Sequence, residues 1–481
     1  MKSIVEQVFH IAQRTPRRLA LTDGKRSISY GQLFRGVAYA SKKLETEYRL
    51  RQGDCIILAA NKQISFVYTY LAAHLSGIIV VPIDPETNEK RFSIISDKVR
   101  SKLTVGFSSY KSSIDLESFN GEMDFLYEGI VFPESDAIAD IIFTTGTTGI
   151  PKGVTLTHEN IAAAAGNINT FIQNTEDDIE LLALPLSHSF GLGRLRCVLS
   201  KGAGLVLLGG FVNMKRFYRF IEEYKVSGLA MVPAGWAFIK KMSGERLGDY
   251  ARQFHYMEIG SAPMPVADKE LLCRLFPHTR ICMHYGLSEA SRSTFMEFHT
   301  DHAHLATVGR ETPGMSVIIL DEQGKPCRTG EEGELCVKGK VVTKGYYRDP
   351  EITARSYWGD YFRTGDWGVV DDNGYISLKS RKKELINVGG RKVSPAEVEE
   401  VLMQVGGIAD CACVGMPDKH GVLGEVVKAF IVLSDKDLDI TKINDRISGK
   451  LEAYKLPASY SVIDEIPRTS SGKIQRLLLK K

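Results

Sequence analysis

Phe143-Thr144-Thr145-Gly146-Thr147-Thr148-Gly149-Ile150-Pro151-Lys152-Gly153-Val154 is the stretch on which the reading of the whole chain turns. Four threonine hydroxyls and three glycines stand between Thr144 and Gly153, with a single cation, Lys152. Glycine lets backbone N–H groups come close to an anion and hydroxyls add further donors, so the composition suits a polyphosphate cradle. The spacing is not that of a Walker A loop. Pro151 precedes the lysine and Gly153 follows it, which leaves no Ser/Thr placed for the metal. Taken alone, the run could also be a Thr/Gly-rich surface loop. Ile141-Ile142-Phe143 before it and Val154 after it predict instead a connection between two strands.

Outward from this loop the chain alternates. Ile4 to Ala12 predicts a short amphipathic helix ended by Pro16, and Leu33, Phe34, Val37, Ala38 and Leu44 recur at helical spacing. Cys55 to Ala60 predicts a strand, Ile64 to Ser76 a helix, and Gly77 to Val81 a strand stopped by Pro82. Thr157 is placed to cap a helix from His158, and apolar strands are expected at Leu205 to Leu208, Leu229 to Val232 and Ile281 to Met283. Strand and helix taking turns imply crossover connections, hence parallel sheets covered by helices. Past Val308 short strands joined by Gly-centred turns predict a small antiparallel sheet or barrel over about 308–380, with Asp372-Asn373-Gly374 as a hairpin signal. Ser394-Pro395-Ala396-Glu397 has the form of a capping box opening a smaller α+β domain. The expected domains are therefore 1–382 and 383–481, with the charged junction at Lys383 as hinge.

At 481 residues two or more domains are expected, and a net charge of +3 is too small to argue for nucleic acid or an anionic membrane as partner. The eight cysteines form no Cys-x-x-Cys pair, and Cys411 and Cys413 read as packing on one strand face. No apolar run reaches the length of a bilayer span and none resembles a signal peptide, so a cytoplasmic protein without integral membrane association is expected. His299, His302 and His304 lack matched carboxylate or thiolate partners and are not read as a metal site.

The Thr/Gly run resembles the phosphate loop of the adenylate-forming superfamily, which comprises acyl-CoA synthetases, luciferases and the adenylation domains of peptide synthetases. Other segments resemble that family's motifs in order. They are Leu184-Pro185-Leu186-Ser187-His188-Ser189-Phe190-Gly191, Gly260-Ser261-Ala262-Pro263-Met264-Pro265, His284-Tyr285-Gly286-Leu287-Ser288-Glu289, Tyr361 to Asp366, and Pro467 to Ile474. The resemblance implies that Thr145, Gly146, Thr147, Thr148, Gly149 and Lys152 hold the phosphates of ATP, and that Thr144 and Glu289 serve Mg²⁺. It implies a nucleotide site completed by Ser261, Ala262, Pro263, His284, Tyr285, Gly286 and Ser288. Asp366 and Arg381 would meet the ribose, His188 would gate the acyl pocket, and Gly389-Gly390 would line a thiol tunnel. Lys473 looks like the catalytic lysine, carried by a mobile C-terminal domain. A single carboxylate suffices for Mg²⁺ because that ion keeps waters and takes phosphate oxygens, and an ammonium on a flexible stem suits delivery by a moving domain.

What the resemblance implies in activity is an AMP-forming carboxylate–CoA ligase that uses ATP, Mg²⁺ and coenzyme A on a small carboxylic acid, fatty or aryl. No acidic residue lies between Leu181 and Leu208, which argues against a free amino acid. Arg194 and Arg196 are candidates to meet a second carboxylate, or else face solvent from a helix. The alternatives are transfer to a carrier protein's phosphopantetheine arm, luciferase-like oxidation, a phosphatase or kinase, and a non-catalytic nucleotide-binding protein.

Overall fold

The computed structural model describes residues 2–480 other than 111, 125–128, 145–150, 212, 383, 419–422, 436 and 469–473. The chain divides into two compact units, Met1–Val317 with Val337–Phe362, and Ile318–Cys336 with Arg363–Lys481.

In the first unit β1 (Leu19–Thr22) and β2 (Ser27–Ser29) form a hairpin. β3 (Cys55–Ala59), β4 (Ile79–Ile83), β5 (Leu103–Val105), β6 (Ile138–Thr144) and β7 (Lys152–Thr157) make one sheet, ordered β5-β3-β4-β6-β7. It is parallel except for the β6–β7 hairpin. β8 (Ile179–Leu182), β9 (Gly204–Leu207), β10 (Gly228–Met231), β11 (Tyr256–Gly260), β12 (Arg280–Tyr285), β13 (Thr294–Glu297) and β14 (Arg310–Glu311) follow. With the first hairpin they build a nine-stranded sheet, ordered β14-β13-β12-β11-β10-β8-β9-β1-β2. Its run from β12 to β1 is parallel, and antiparallel strands close both edges. Strand and helix alternate as the periodicity predicts. The helix Ile64–Leu75 is buried all round from Ile64 to His74, so an apolar sequence without a polar stripe here marks a helix enclosed by its neighbours.

Two local expectations change. β4 runs through Pro82 to Ile83 rather than stopping before the proline. Ala60 N donates to Ile83 O, so Ile83 turns its polar groups toward β3 and Pro82 turns its own toward β6. On that side β4 is paired only at Val80↔Asp140, and the missing N–H deprives the ladder of nothing. The second change concerns Ser394, whose Oγ accepts from Glu397 N at 3.4 Å, while the Glu397 carboxylate takes Lys455 Nζ at 2.6 Å and leaves the reciprocal half of the capping box unmade.

Antiparallel pairs fill the stretch after 308. In the first unit Tyr357–Trp358 pairs with Tyr361 and Phe362. In the second, Asp366 to Val370 pairs with Ile376 to Arg381, and the loop between them bonds Asp371 Oδ1 to Asn373 N and Tyr375 N, with Gly374 at φ +80. The rest of the second unit is α+β. Ile408–Pro417, Glu425–Leu433 and Ser459–Val462 form a three-stranded sheet, and the helix Pro395–Leu402 helps to cover a core that contains both Cys411 and Cys413. Among the described residues no helix is long and apolar enough to cross a membrane.

Candidate active site

β6 ends at Thr144, β7 begins at Lys152, and these two residues are antiparallel partners. The Thr/Gly loop is the connection of a hairpin, and the hydroxyl and the ammonium project from one face at its end. Thr145, Gly146, Thr147, Thr148 and Gly149 lie outside the described residues, as do Lys383 and Lys473. Beyond Lys152, Gly153 O accepts from Tyr347 N at 2.7 Å and Thr155 N donates to Gly345 O at 3.0 Å, which lays Gly345–Tyr347 along β7. Tyr346 thereby comes beside Lys152, whose ammonium is 5.3 Å from the ring centre. The Tyr346 hydroxyl donates to Glu289 Oε1 at 2.8 Å.

Glu289 stands on the turn after β12. Its carbonyl accepts from Thr343 N, and Leu287 N donates to Ala290 O at 2.9 Å. Gly286 admits no side chain here, since a Cβ would lie 2.5 Å from Arg292 N. Ser288 Oγ is 3.4 Å from Ser189 Oγ, so the turn reaches the start of the helix Ser189–Lys201. Tyr285 ends β12 with its ring half-exposed, and Ser261 carries the turn after β11 at φ +73, with Ala262 and Pro263 following toward solvent. These residues sit at the carboxyl ends of parallel strands, where open α/β sheets take their ligands. Glu289 and Thr144 present oxygen donors, and the phenol fixes one carboxylate oxygen, so this donor set fits a Mg²⁺ that completes its shell with phosphate and water.

His188 is the N-cap residue of the helix Ser189–Lys201 and its side chain is exposed. The approach to it is tight. A Cβ on Gly191 would stand 2.2 Å from Pro185 O, so only glycine lets the helix begin so close to the preceding segment.

Below the site lies a charge cluster that sequence reading did not assemble. Arg194, read as a ligand for a second carboxylate or as solvent-facing, is fully buried between Glu180 and Glu258. Arg196 is likewise taken, by Asp140 and the Tyr70 hydroxyl. Glu258 also receives Arg292 Nε at 3.0 Å, and His284 Nδ1 lies 2.7 Å from its Oε1. Burial opposes the charge on Glu258, yet Arg292, Arg194 and His284 together hold its carboxyl below the usual carboxylate range. Burial also pulls the His284 pKa down, with the Arg292 charge adding to it and Glu258 opposing it. Gly260 makes room for it: a Cβ would be 2.1 Å from His284 Cε1. His284 therefore serves the floor of the site.

In the second unit Asp366 and Arg381 are cross-strand partners, with Nε 2.8 Å from Oδ1. Gly365 at φ +73 turns the chain so that Asp366 N donates to the Thr364 hydroxyl oxygen at 3.0 Å. Gly389 and Gly390, at φ +59 and +82, form the two-residue turn between Ile386–Val388 and Arg391–Val393. A turn with both central residues at positive φ favours glycine at these positions whatever else the loop does.

Comparison with known proteins places these features in a lineage. Residues 8–347 match the model of the family described as AMP-binding enzyme, and residues 397–473 match that of its C-terminal domain. The chain is 29% identical to 2-succinylbenzoate–CoA ligase of Bacillus subtilis, covering 98% of this chain and 96% of the relative. It is 28% identical to long-chain-fatty-acid–CoA ligase FadD13 of Mycobacterium tuberculosis over 100% of this chain and 98% of the relative. Among solved structures, o-succinylbenzoate CoA synthetase of Bacillus subtilis in complex with its acyl-adenylate intermediate superposes with a TM-score of 0.89. It is 27% identical and covers 99% of this chain and 98% of that one.

Proposed function

The chain belongs to the AMP-binding enzyme family, and from that premise we propose that it is an AMP-forming carboxylate–CoA ligase acting on a fatty or aryl acid. The observation that carries this reading is the line Lys152–Tyr346–Glu289, which sets a phosphate-loop cation and a metal-binding acid on one tyrosine. The named activities of the B. subtilis and M. tuberculosis relatives support the same reaction class.

In the first half-reaction the substrate carboxylate attacks the α-phosphorus of ATP, the bond to the bridging oxygen breaks, and pyrophosphate leaves. In the second the thiol sulfur of CoA attacks the acyl carbon and AMP leaves with the electron pair. Residues 145–149 with Lys152 hold the phosphates, and Tyr285 gives adenine an aromatic face with Ser261, Ala262, Pro263, Gly286 and Ser288 around it. Asp366 accepts from the ribose hydroxyls, with Arg381 fixing its carboxylate. Glu289 and Thr144 would hold Mg²⁺, which when bound would neutralise phosphate charge. Lys473 steadies the charge that grows on the α-phosphate. His188 gates the acyl side, and motion about Lys383 exchanges Lys473 for the Gly389-Gly390 turn before thiol attack.

A screen of fatty, aryl, dicarboxylic and amino acids for pyrophosphate and AMP release tests the proposal, run with CoA, with a purified carrier protein, and with neither. Release of AMP and an acyl-CoA is the expected result. Formation of ADP or free phosphate, or no AMP from any acid, would refute it.

A further inference from the structure

Lys62 follows β3 and has no part in the site described above. It is half-buried, and its ammonium donates to Ala183 O, just past β8, and to Gly209 O at 3.5 Å, just past β9. Both acceptors are neutral carbonyls, and no carboxylate among the described residues pairs with it. Burial alone pulls its pKa down to about 8, with no opposing charge to restore it. A shielded ammonium without a counter-charge is costly, and an incoming anion relieves that cost.

The surroundings suit such an anion. Lys62 sits where β3 of one sheet and β8 and β9 of the other end, and carboxyl ends of parallel strands are where open α/β sheets bind ligands. Gly209 is exposed and a Cβ on it would meet no atom within 4 Å, so the approach to the ammonium from the side of Gly209 is open to solvent. Ala183 opens the segment that leads through Leu184 and Leu186 to His188, and no acid lies between Leu181 and Leu208. Trp236, on the helix after β10, is 1% exposed and its indole N–H has no acceptor among the described residues. It shares an apolar cluster with Ala183, Leu208 and Met231. These strand ends thus offer an ammonium that has carbonyl acceptors but no counter-charge, and an indole N–H without an acceptor in an apolar cluster.

We propose that Lys62 binds a second carboxylate at the far end of the substrate acid, so that the preferred acid has an apolar body and a carboxylate at each end. The other cations near this edge are unavailable, because Glu180, Glu258 and Asp140 already hold Arg194 and Arg196. The inference rests on the ligase reading above. An oxyanion on a shielded ammonium could also come from a phosphate of CoA, and the half-reactions separate the two sources.

Pyrophosphate release is measured without CoA on acids matched in length and ring, one bearing a distal carboxylate and its counterpart the methyl ester. The wild type is expected to favour the diacid by about tenfold or more in kcat/KM. Lys62→Met is expected to raise KM for the diacid by about ten- to a hundredfold and to leave the monoester within about threefold. Lys62→Arg is expected to keep most of the preference. Turnover of the monoester is the internal control for folding. Equal losses on both acids, or a wild-type preference for the monoester, would overturn the proposal. A Lys62→Met defect confined to KM for CoA in thioester formation would also overturn it and assign the lysine to a CoA phosphate. A wild type that releases no pyrophosphate with any acid would instead overturn the ligase reading, and this inference with it.

Discussion

Replacing Tyr346 with phenylalanine removes one oxygen from the line Lys152–Tyr346–Glu289. The hydroxyl donates to Glu289 Oε1 at 2.8 Å, and burial followed by the Glu289 charge pushes its pKa well up, so it stays protonated and donating. A hydrogen bond to an ionised group contributes about 1.5–3 kcal/mol. Tyr346 and Glu289 are both only half-buried, which places the loss near about 1.5 kcal/mol, or about tenfold in rate. The phenylalanine keeps the ring face over which Lys152 sits 5.3 Å away, so ATP binding through that ammonium is retained. Titrating Mg²⁺ at saturating ATP and acid, with pyrophosphate release as readout, should show kcat/KM about tenfold down and a higher Mg²⁺ half-saturation. Apparent KM for ATP should move little. A variant with wild-type kcat/KM and an unshifted Mg²⁺ curve would show that Tyr346 does not position the acid.

Four further outcomes are expected. Lys473→Ala should slow adenylate formation by on the order of 10²–10³ while sparing thioester formation from supplied acyl-adenylate, measured as two separate half-reactions. Arg194→Met leaves Glu180 and Glu258 buried without that partner and should lower the unfolding free energy by about 3–5 kcal/mol in urea titrations. Gly390→Ala meets no atom within 4 Å but must hold φ +82, so a loss of about 1–2 kcal/mol in the same assay would come from backbone strain alone. His158 is 1% exposed and burial holds its pKa down at about 3, so below the ordinary imidazole range the unfolded chain binds the extra proton. Stability should therefore fall by about 1.4 kcal/mol per pH unit between about pH 6.5 and 3, and His158→Gln should flatten that slope in denaturation curves taken at pH 7, 6 and 5.

Legibility followed sequence distance. The apolar flanks of the Thr/Gly run, the Thr157 cap and the Asp372-Asn373-Gly374 turn act over a few residues, and each produced the element it implied. Arg194 and Arg196 were opaque because their partners lie elsewhere. Glu180 is 14 residues away on β8 and Asp140 is 56 away on β6, so helical spacing alone could not tell a buried guanidinium from a solvated one. Tyr346 reaches Glu289 from 57 residues away, inside a Gly-Tyr-Tyr run that carries no periodic signal. Lys62 gave no sign at all in the sequence, since its character comes from two carbonyls at the ends of other strands.

Glu180 belongs to β8 and Glu258 to β11, and β10 runs between them. Arg194 spans that middle strand from beneath, while Tyr256 crosses over Gly228, where any side chain would collide with its ring, to donate to Glu180 at 2.6 Å. Three neighbouring strands are stitched by groups that cannot separate without exposing bare charge to an apolar interior. The amides of Leu229 and Ala230 should accordingly be among the slowest in the molecule to exchange with deuterium, opening only when the entire unit comes apart.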